Sequence, residues 1–300
     1  MSYVNSFPNP VVRGVINPLK QIIQKKELHF DSRFRDNYGA PGTSSSSFLY
    51  KLPSELDDVV SLRLASIHIP DAVLLISSSV GNNKLTVNNE ELIIPDGTYS
   101  LADLRTQIND LITGQLAIDV KFEADGTESR KTKIVNNSGA EVSVVFYSPN
   151  NCTNFMNTVG WILGFRVSSV TLSGLLGSNA VSAGLFDDNA TNYLYLSVED
   201  FQRNVSNNNI VYLNKTTTNN SILGKIYRSA LDGTYTLNQM NDGYILSDKV
   251  RKYYGPVRLS KFKFSLLDKF GNIVDLNNMD YSFTLEAEIL YDRDNVTIPC

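Results

Sequence analysis

The sequence predicts a mainly β protein: an antiparallel β-sandwich or jelly roll with a small helix-containing insertion and an extended N-terminal arm. Three observations predict it. Apolar and polar residues alternate with period two in many segments, Asp-Gly turns punctuate those segments, and only one stretch has convincing helical spacing. Many short strands with frequent turns and few helices bury their alternating faces most simply as two packed sheets.

Taken in order, residues 1–50 read as the extended arm and 51–300 as the sandwich, with 81–165 an inserted stretch or small α/β module. The arm is interrupted by Pro8, Pro10 and Pro18, and residues 1–30 carry Arg13, Lys20, Lys25 and Lys26 against Glu27, a net charge of +3. Such an arm either grips a neighbouring subunit, an anionic membrane or nucleic acid, or remains a solvated tail. Val60, Leu62 and Leu64 share one strand face, but Ile67 and Ile69 share the other. That phase change near Ala65-Ser66 predicts a bulge or a strand bending between sheets. Ser100 caps a helix with Leu101, Leu104, Ile108 and Leu111 on one face, and Gly114 is expected to end it. A weaker helical turn covers Asn154–Leu163. Strands are expected at 84–87, 91–94, 118–122, 132–135, 142–147, 210–213, 222–227 and 272–275. Stronger alternation marks Leu194, Leu196 and Val198; then Phe262, Phe264 and Leu266; then Phe283, Leu285, Ala287 and Ile289. Asp-Gly recurs at 96–97, 125–126, 232–233 and 242–243, and Phe270-Gly271-Asn272 separates two strand candidates.

Composition narrows the function classes. The 300 residues include two cysteines, Cys152 and Cys300, so a disulfide-rich secreted scaffold is excluded. With two histidines, His29 and His68, no multi-histidine metal or catalytic centre is available. The net charge of −4 argues against wholesale or specific nucleic-acid binding. Charged residues make up only 19%, while asparagine occurs 31 times, a balance that suits extensive protein–protein contact. No signal peptide is expected, and the charge-poor stretches 142–165 and 167–186 are too broken by Gly, Asn and Ser to span a membrane as helices.

The search for chemistry is thin. The sequence has no Gly-x-Ser-x-Gly elbow, Walker loop, dinucleotide fingerprint or Cys-x-x-Cys pair. His68 reads as a structural histidine on a strand. Asp292 and Asp294 are too few for a calcium site, and Glu286 with Glu288 as an ordinary exposed pair. No catalytic, cofactor-binding or metal residue is assigned. Tyr193, Tyr195, Tyr253 and Tyr254 suit core or interface packing better than base stacking. Arg251, Lys252, Arg258, Lys261 and Lys263 form a basic strip, read either as a dock for an acidic partner or as charges that blunt an exposed strand.

Several segments resemble, in order, the minor capsid proteins of nucleocytoplasmic large DNA viruses, the giant viruses of algae and amoebae. They are Asp31–Asp36 followed by Phe48–Pro53, Ile94–Tyr99, Gly160–Phe165, Tyr193–Phe201 and Arg251–Val257. The most specific is the C-terminal block from Leu266-Leu267-Asp268 through Gly271 to Asp275–Phe283. The resemblance spans 31–292. It implies a non-enzymatic virion protein, made in the host cytoplasm, that bridges and stabilises capsomers. Its implied partners are the major capsid protein and other minor capsid proteins, with contact to an inner membrane left open. The alternatives are a penton closing the fivefold vertex as a homopentamer, or a receptor- or glycan-binding vertex sandwich. Arg33, Phe34 and Arg35 in an extended segment would put two guanidiniums on one side for carboxylates and an aromatic on the other for a pocket. The alternative is a clamp tying the arm to its own sandwich. The interface residues expected are Arg33, Phe34 and Arg35, with Val11, Val12 and Ile16 of the arm.

Overall fold

A computed structural model describes residues 21–147, 154–188, 191–206, 211–213, 218–219, 221–229, 234–236 and 250–292. Val11, Val12, Ile16, Cys152, Asp294 and Cys300 lie outside the described residues, as do the Asp-Gly pairs at 232–233 and 242–243. The chain forms two compact units, one from 1–71 with 193–300 and the other from 72–192. Every strand pair among the described residues is antiparallel.

The first unit opens with β1 (Gln21–Asp31) and β2 (Ser47–Ile69). Residues 21–31, within the expected arm, are thus a sheet strand. The phase change expected in β2 is a bulge: Thr284 faces Ser66 and Leu285 faces Leu64, so the register shifts by one residue across Ala65. A second slip skips Val60, so Val59 is buried in place of the expected Val60. These slips let Leu62 and Leu64 and then Ile67 and Ile69 all reach the core, although their sequence phases differ.

Residues 72–192 build the second unit. The strands β3 (Lys84–Val87), β4 (Glu90–Ile93), β7 (Val142–Val145) and β8 (Ser169–Leu172) form a sheet in the order β4-β3-β7-β8. A second sheet, β5-β6-β9, comprises β5 (Val120–Ala124), β6 (Thr132–Asn136) and β9 (Ser178–Val181). Helix α1 (Leu101–Leu111) starts where expected, with Ser100 Oγ accepting the Asp103 N–H at 3.2 Å. Leu104 and Ile108 are fully buried, and Leu101 and Leu111 pack at the margin of the same core. The expected stop at Gly114 is not used. A π-turn carries the chain through Ile112–Leu116, and Ala117 ends it in the left-handed region at φ 52°. The expected second helical turn is a 3₁₀ turn at Phe155–Asn157 followed by α2 (Val159–Ile162). Gly160 is required in α2, because a Cβ there would lie 2.3 Å from the Phe146 ring, which itself stacks on Phe165 at 4.8 Å.

The chain then returns to the first unit with β10 (Tyr193–Glu199), a two-residue hairpin of β11 (Val211–Tyr212) and β12 (Thr218–Asn219), β13 (Ile222–Arg228), β14 (Tyr235–Thr236), β15 (Arg251–Leu267) and β16 (Ser282–Asp292). The main sheet runs β1-β16-β2-β14-β13-β10-β15, and β15 pairs again with β2 between Ser47 and Leu62. The 23-residue β2 therefore belongs to both layers of a β-sandwich of the jelly-roll type. Breaks in the β2–β15 ladder contain Pro53 on one strand and Pro256 on the other, where a missing N–H costs no ladder bond. Residues 272–275 do not form the expected strand. Asp268 accepts three hydrogen bonds from Phe270 and Asn272, folding the segment back, so that only Ile273 bridges Leu267.

The alternating sets at 194–198, 262–266 and 283–289 all point inward. Between the layers lies an aromatic cluster. Phe264 sits 4.9 Å from Phe30, 5.4 Å from Phe48, 5.5 Å from Phe262 and 4.8 Å from Phe283, centroid to centroid.

Candidate interaction surface

The residues singled out at 31–36 lie at the end of β1, where the chain makes a 3₁₀ turn at Ser32–Phe34 rather than the expected extended segment. Asp31 starts the turn: its carboxylate accepts the Arg33 N–H at 2.9 Å and the Arg33 guanidinium through Nε and Nη2, the latter at 2.6 Å. Arg33 holds the Asp31 carboxyl below the usual carboxylate range. Ser32 is buried. Its Oγ donates to Asp280 Oδ1 at 2.7 Å, and its N–H donates to the Tyr281 carbonyl at 2.9 Å. Arg35, with a side chain only 9% exposed, donates through Nη1 to the same Asp280 oxygen at 2.8 Å and to the Ser32 carbonyl at 2.7 Å. Its guanidinium also covers the Tyr38 ring at 4.0 Å. The two arginines therefore take different partners, because the turn rotates them apart. Phe34, between them, is 73% exposed. A turn tied down on both flanks thus holds one aromatic ring out in water.

Beside this turn lie two shallow grooves of about 380 and 450 Å³ that share Asp31, His68 and Ser282. Phe34, His29 and His68 line the larger, so both histidines of the chain face one groove. His29 Nδ1 lies 3.0 Å from Thr284 Oγ1, and Nε2 lies 3.7 Å from Glu27. This array lies on an open sheet face, with His29 71% exposed, so nothing there excludes water from a reaction. Among the described residues no group of three or more His, Cys, Asp or Glu side chains is placed to hold a metal ion, and no described helix is long and apolar enough to cross a membrane.

Further along the outer face of β1, β16 and β2, Glu286 is clasped by Arg63 (Nη2 to Oε2, 2.6 Å) and Lys25 (3.0 Å). These cations, Arg63 first, pull its pKa down to about 2 against burial, which acts the other way. The folded state therefore binds fewer protons than the unfolded chain between about pH 4.5 and 2. The cluster's contribution is complete above that window and is lost as pH falls through it. Glu286→Gln is expected to destabilise the protein by about 2 kcal/mol at pH 7 and by almost nothing near pH 2, as read from denaturant midpoints across pH, the figure being lowered for the water that reaches Lys25.

The basic strip expected along 251–263 does not stand free. Arg251 is buried, donating to Asp200 and to the Val198 and Ser221 carbonyls, each at 2.8 Å, while Tyr253 Oη donates to the same Asp200 oxygen at 2.6 Å. Arg258 pairs with Asp57 and Glu55, Lys263 approaches Glu199, and Lys261 lies 4.6 Å from the Phe201 ring centre. The four tyrosines form no platform: Lys225 covers Tyr193, Tyr253 is buried and Tyr254 is exposed. The partners of these cations lie roughly 50 to 200 residues away, which no local pattern reveals.

No family model matches the chain, and no curated protein matches it by sequence. Among solved structures it is similar to the mavirus penton protein, with a TM-score of 0.46 and 12% identity over 89% of this chain and all of that one. It is similar also to a chain of the Sputnik virophage structure determined by cryo-EM, with a TM-score of 0.41 and 11% identity over 89% of this chain and 98% of that one.

Proposed function

We propose that this chain is a structural virion protein, a minor capsid component that bridges and stabilises the capsomers of an icosahedral large DNA virus. The observation that carries the reading is the clamped turn. Ser32 and Arg35 converge on Asp280, Arg33 is tied to Asp31, and Phe34 is presented to solvent on a rigid mount. An aromatic already ordered before contact loses little entropy on docking, and such residues anchor interfaces. The ordered resemblance of residues 31–292 to minor capsid proteins supplies the class of partner: the major capsid protein and its minor companions, in a virion assembled from protein made in the host cytoplasm. Val11, Val12 and Ile16, before β1, are assigned to the interface with the same partners.

The test is co-sedimentation of the purified chain with assembled major capsid protein. Phe34→Ala is expected to weaken binding by at least about tenfold without changing the melting temperature. Unchanged binding would remove Phe34 from the interface, and absence of binding by the parent chain would overturn the bridging role. A closed pentamer in light scattering would assign the chain to the vertex instead, since a ring needs one heterologous interface repeated five times.

A further inference from the structure

We propose that β1 is a self-association edge, on which a second copy of this chain pairs its own β1 antiparallel about a two-fold axis. Among the described residues β1 ends the strand order and pairs with β16 alone. The Ser32 N–H donates to the Tyr281 carbonyl, and Phe30 faces Phe283 in the same register, so the even-numbered residues of β1 spend their backbone groups on β16. The odd-numbered residues from Ile23 to Asp31 direct their N–H and C=O groups away from β16, and among the described residues no strand receives them. Eleven residues of open edge without a proline form a ready template for another strand.

Charge and parity together select the occupant and the register. When β1 pairs with its own copy at full overlap, residue 21 lies opposite 31 and Lys25 opposite Glu27, twice by symmetry. All the outward-facing backbone groups then meet as hydrogen-bonded pairs, and each strand face continues across the joint. Slipping two residues in either direction keeps the parity but sets Glu27 against Glu27 or Lys25 against Lys25, which is unfavourable. The full-overlap register has one like-charge contact, Lys26 with Lys26 at the axis, where exposed flexible stems let the ammonium groups part into water. Lysines on an edge commonly keep other strands away. Here the strand carries the complement of its own charge two residues on.

This inference does not depend on the capsid reading, and its test uses the full chain alone. Light scattering at tens of micromolar is expected to give about 67 kDa, twice the 33.4 kDa of one chain. Glu27→Pro removes an N–H that faces away from β16 and leaves the β1–β16 ladder bonds in place, so a folded monomer is expected. Glu27→Lys is expected to weaken the dimer at least tenfold, and Lys25→Glu combined with Glu27→Lys, which sets a cation at position 27 opposite Glu286 as the Lys25 contact is lost, to restore most of it, a rescue that a folding defect would not produce. In residue-level hydrogen exchange the amides of Ile23, Lys25 and His29 are expected to be protected in the parent chain and to exchange freely in the Glu27→Pro variant. A parent chain that runs as a monomer, or an oligomer whose mass is unchanged by Glu27→Pro, would overturn the assignment.

Discussion

Replacing Phe264 by alanine is expected to cost the first unit about 4 kcal/mol, among the largest effects of any single substitution in the chain. The ring is fully buried and meets four other phenylalanines, Phe30, Phe48, Phe262 and Phe283, drawn from β1, β2, β15 and β16. Its removal forfeits the transfer free energy of a benzyl group and leaves a cavity whose walls are other rigid rings, which cannot collapse into it cheaply. Edge and offset ring contacts add about 1 kcal/mol beyond buried area. The loss should appear in urea unfolding as a lower midpoint with little change in slope. Phe264→Leu, which refills most of the volume, should recover more than half of it. A loss below 1 kcal/mol for the alanine variant would mean that the cluster is not packed as described.

The second large effect concerns Arg251. Arg251→Met is expected to destabilise the protein by roughly 3–5 kcal/mol, because it strips a buried carboxylate of its cation and takes the Arg251 donor from the Val198 carbonyl. Asp200 would retain only the Tyr253 hydroxyl and the Gln202 N–H. Adding Asp200→Leu to Arg251→Met should cost less than the sum of the two single changes, since the uncompensated charge is then gone. Burial and the neighbouring Asp200 carboxylate already push the Tyr253 hydroxyl well above its ordinary pKa, so it stays a donor throughout the physiological range. Additivity in the double variant would show that the pair is not coupled, contrary to the geometry.

Much of the sandwich was legible because its core strands alternate strictly. Phe262, Phe264 and Leu266, or Phe283 through Ile289, need no partner to declare their buried face. The bulge at Ala65 was legible for the same reason, since a one-residue slip exchanges faces and leaves a phase error in the pattern. β1 was not legible as a strand: an edge strand at the margin of the core needs little apolar surface, and only Leu28, Phe30 and Asp31 of its described side chains are shielded. The stop at Gly114 failed because glycine permits a turn without demanding one. The chain continued until Ala117 could bond back to the Ile112 carbonyl.

Within the candidate surface, the sequence singled out the segment but not its geometry. The alternation of Arg33, Phe34 and Arg35 suggests a strand, whereas Asp31 accepts the Arg33 N–H and starts a turn, a local contest that short carboxylate side chains often win. Asp280, which receives both Ser32 and Arg35, lies 245 residues or more away from either in sequence. Separation in sequence likewise hides the partners of Arg251 and Arg258. Long-range pairing of charges leaves no periodic trace, so a run of cations reads as a free surface until the fold supplies its acids.

The β1–β16 pairing also sets an order of events during synthesis. Residues 72–192 close a core of their own from contiguous chain, so this unit can fold while the ribosome is still adding β10 to β16. β1 and β2 leave the ribosome well before β16, the neighbour on which both pair. For most of translation these early strands must wait with backbone groups unpaired, the interval in which nascent chains engage chaperones or one another.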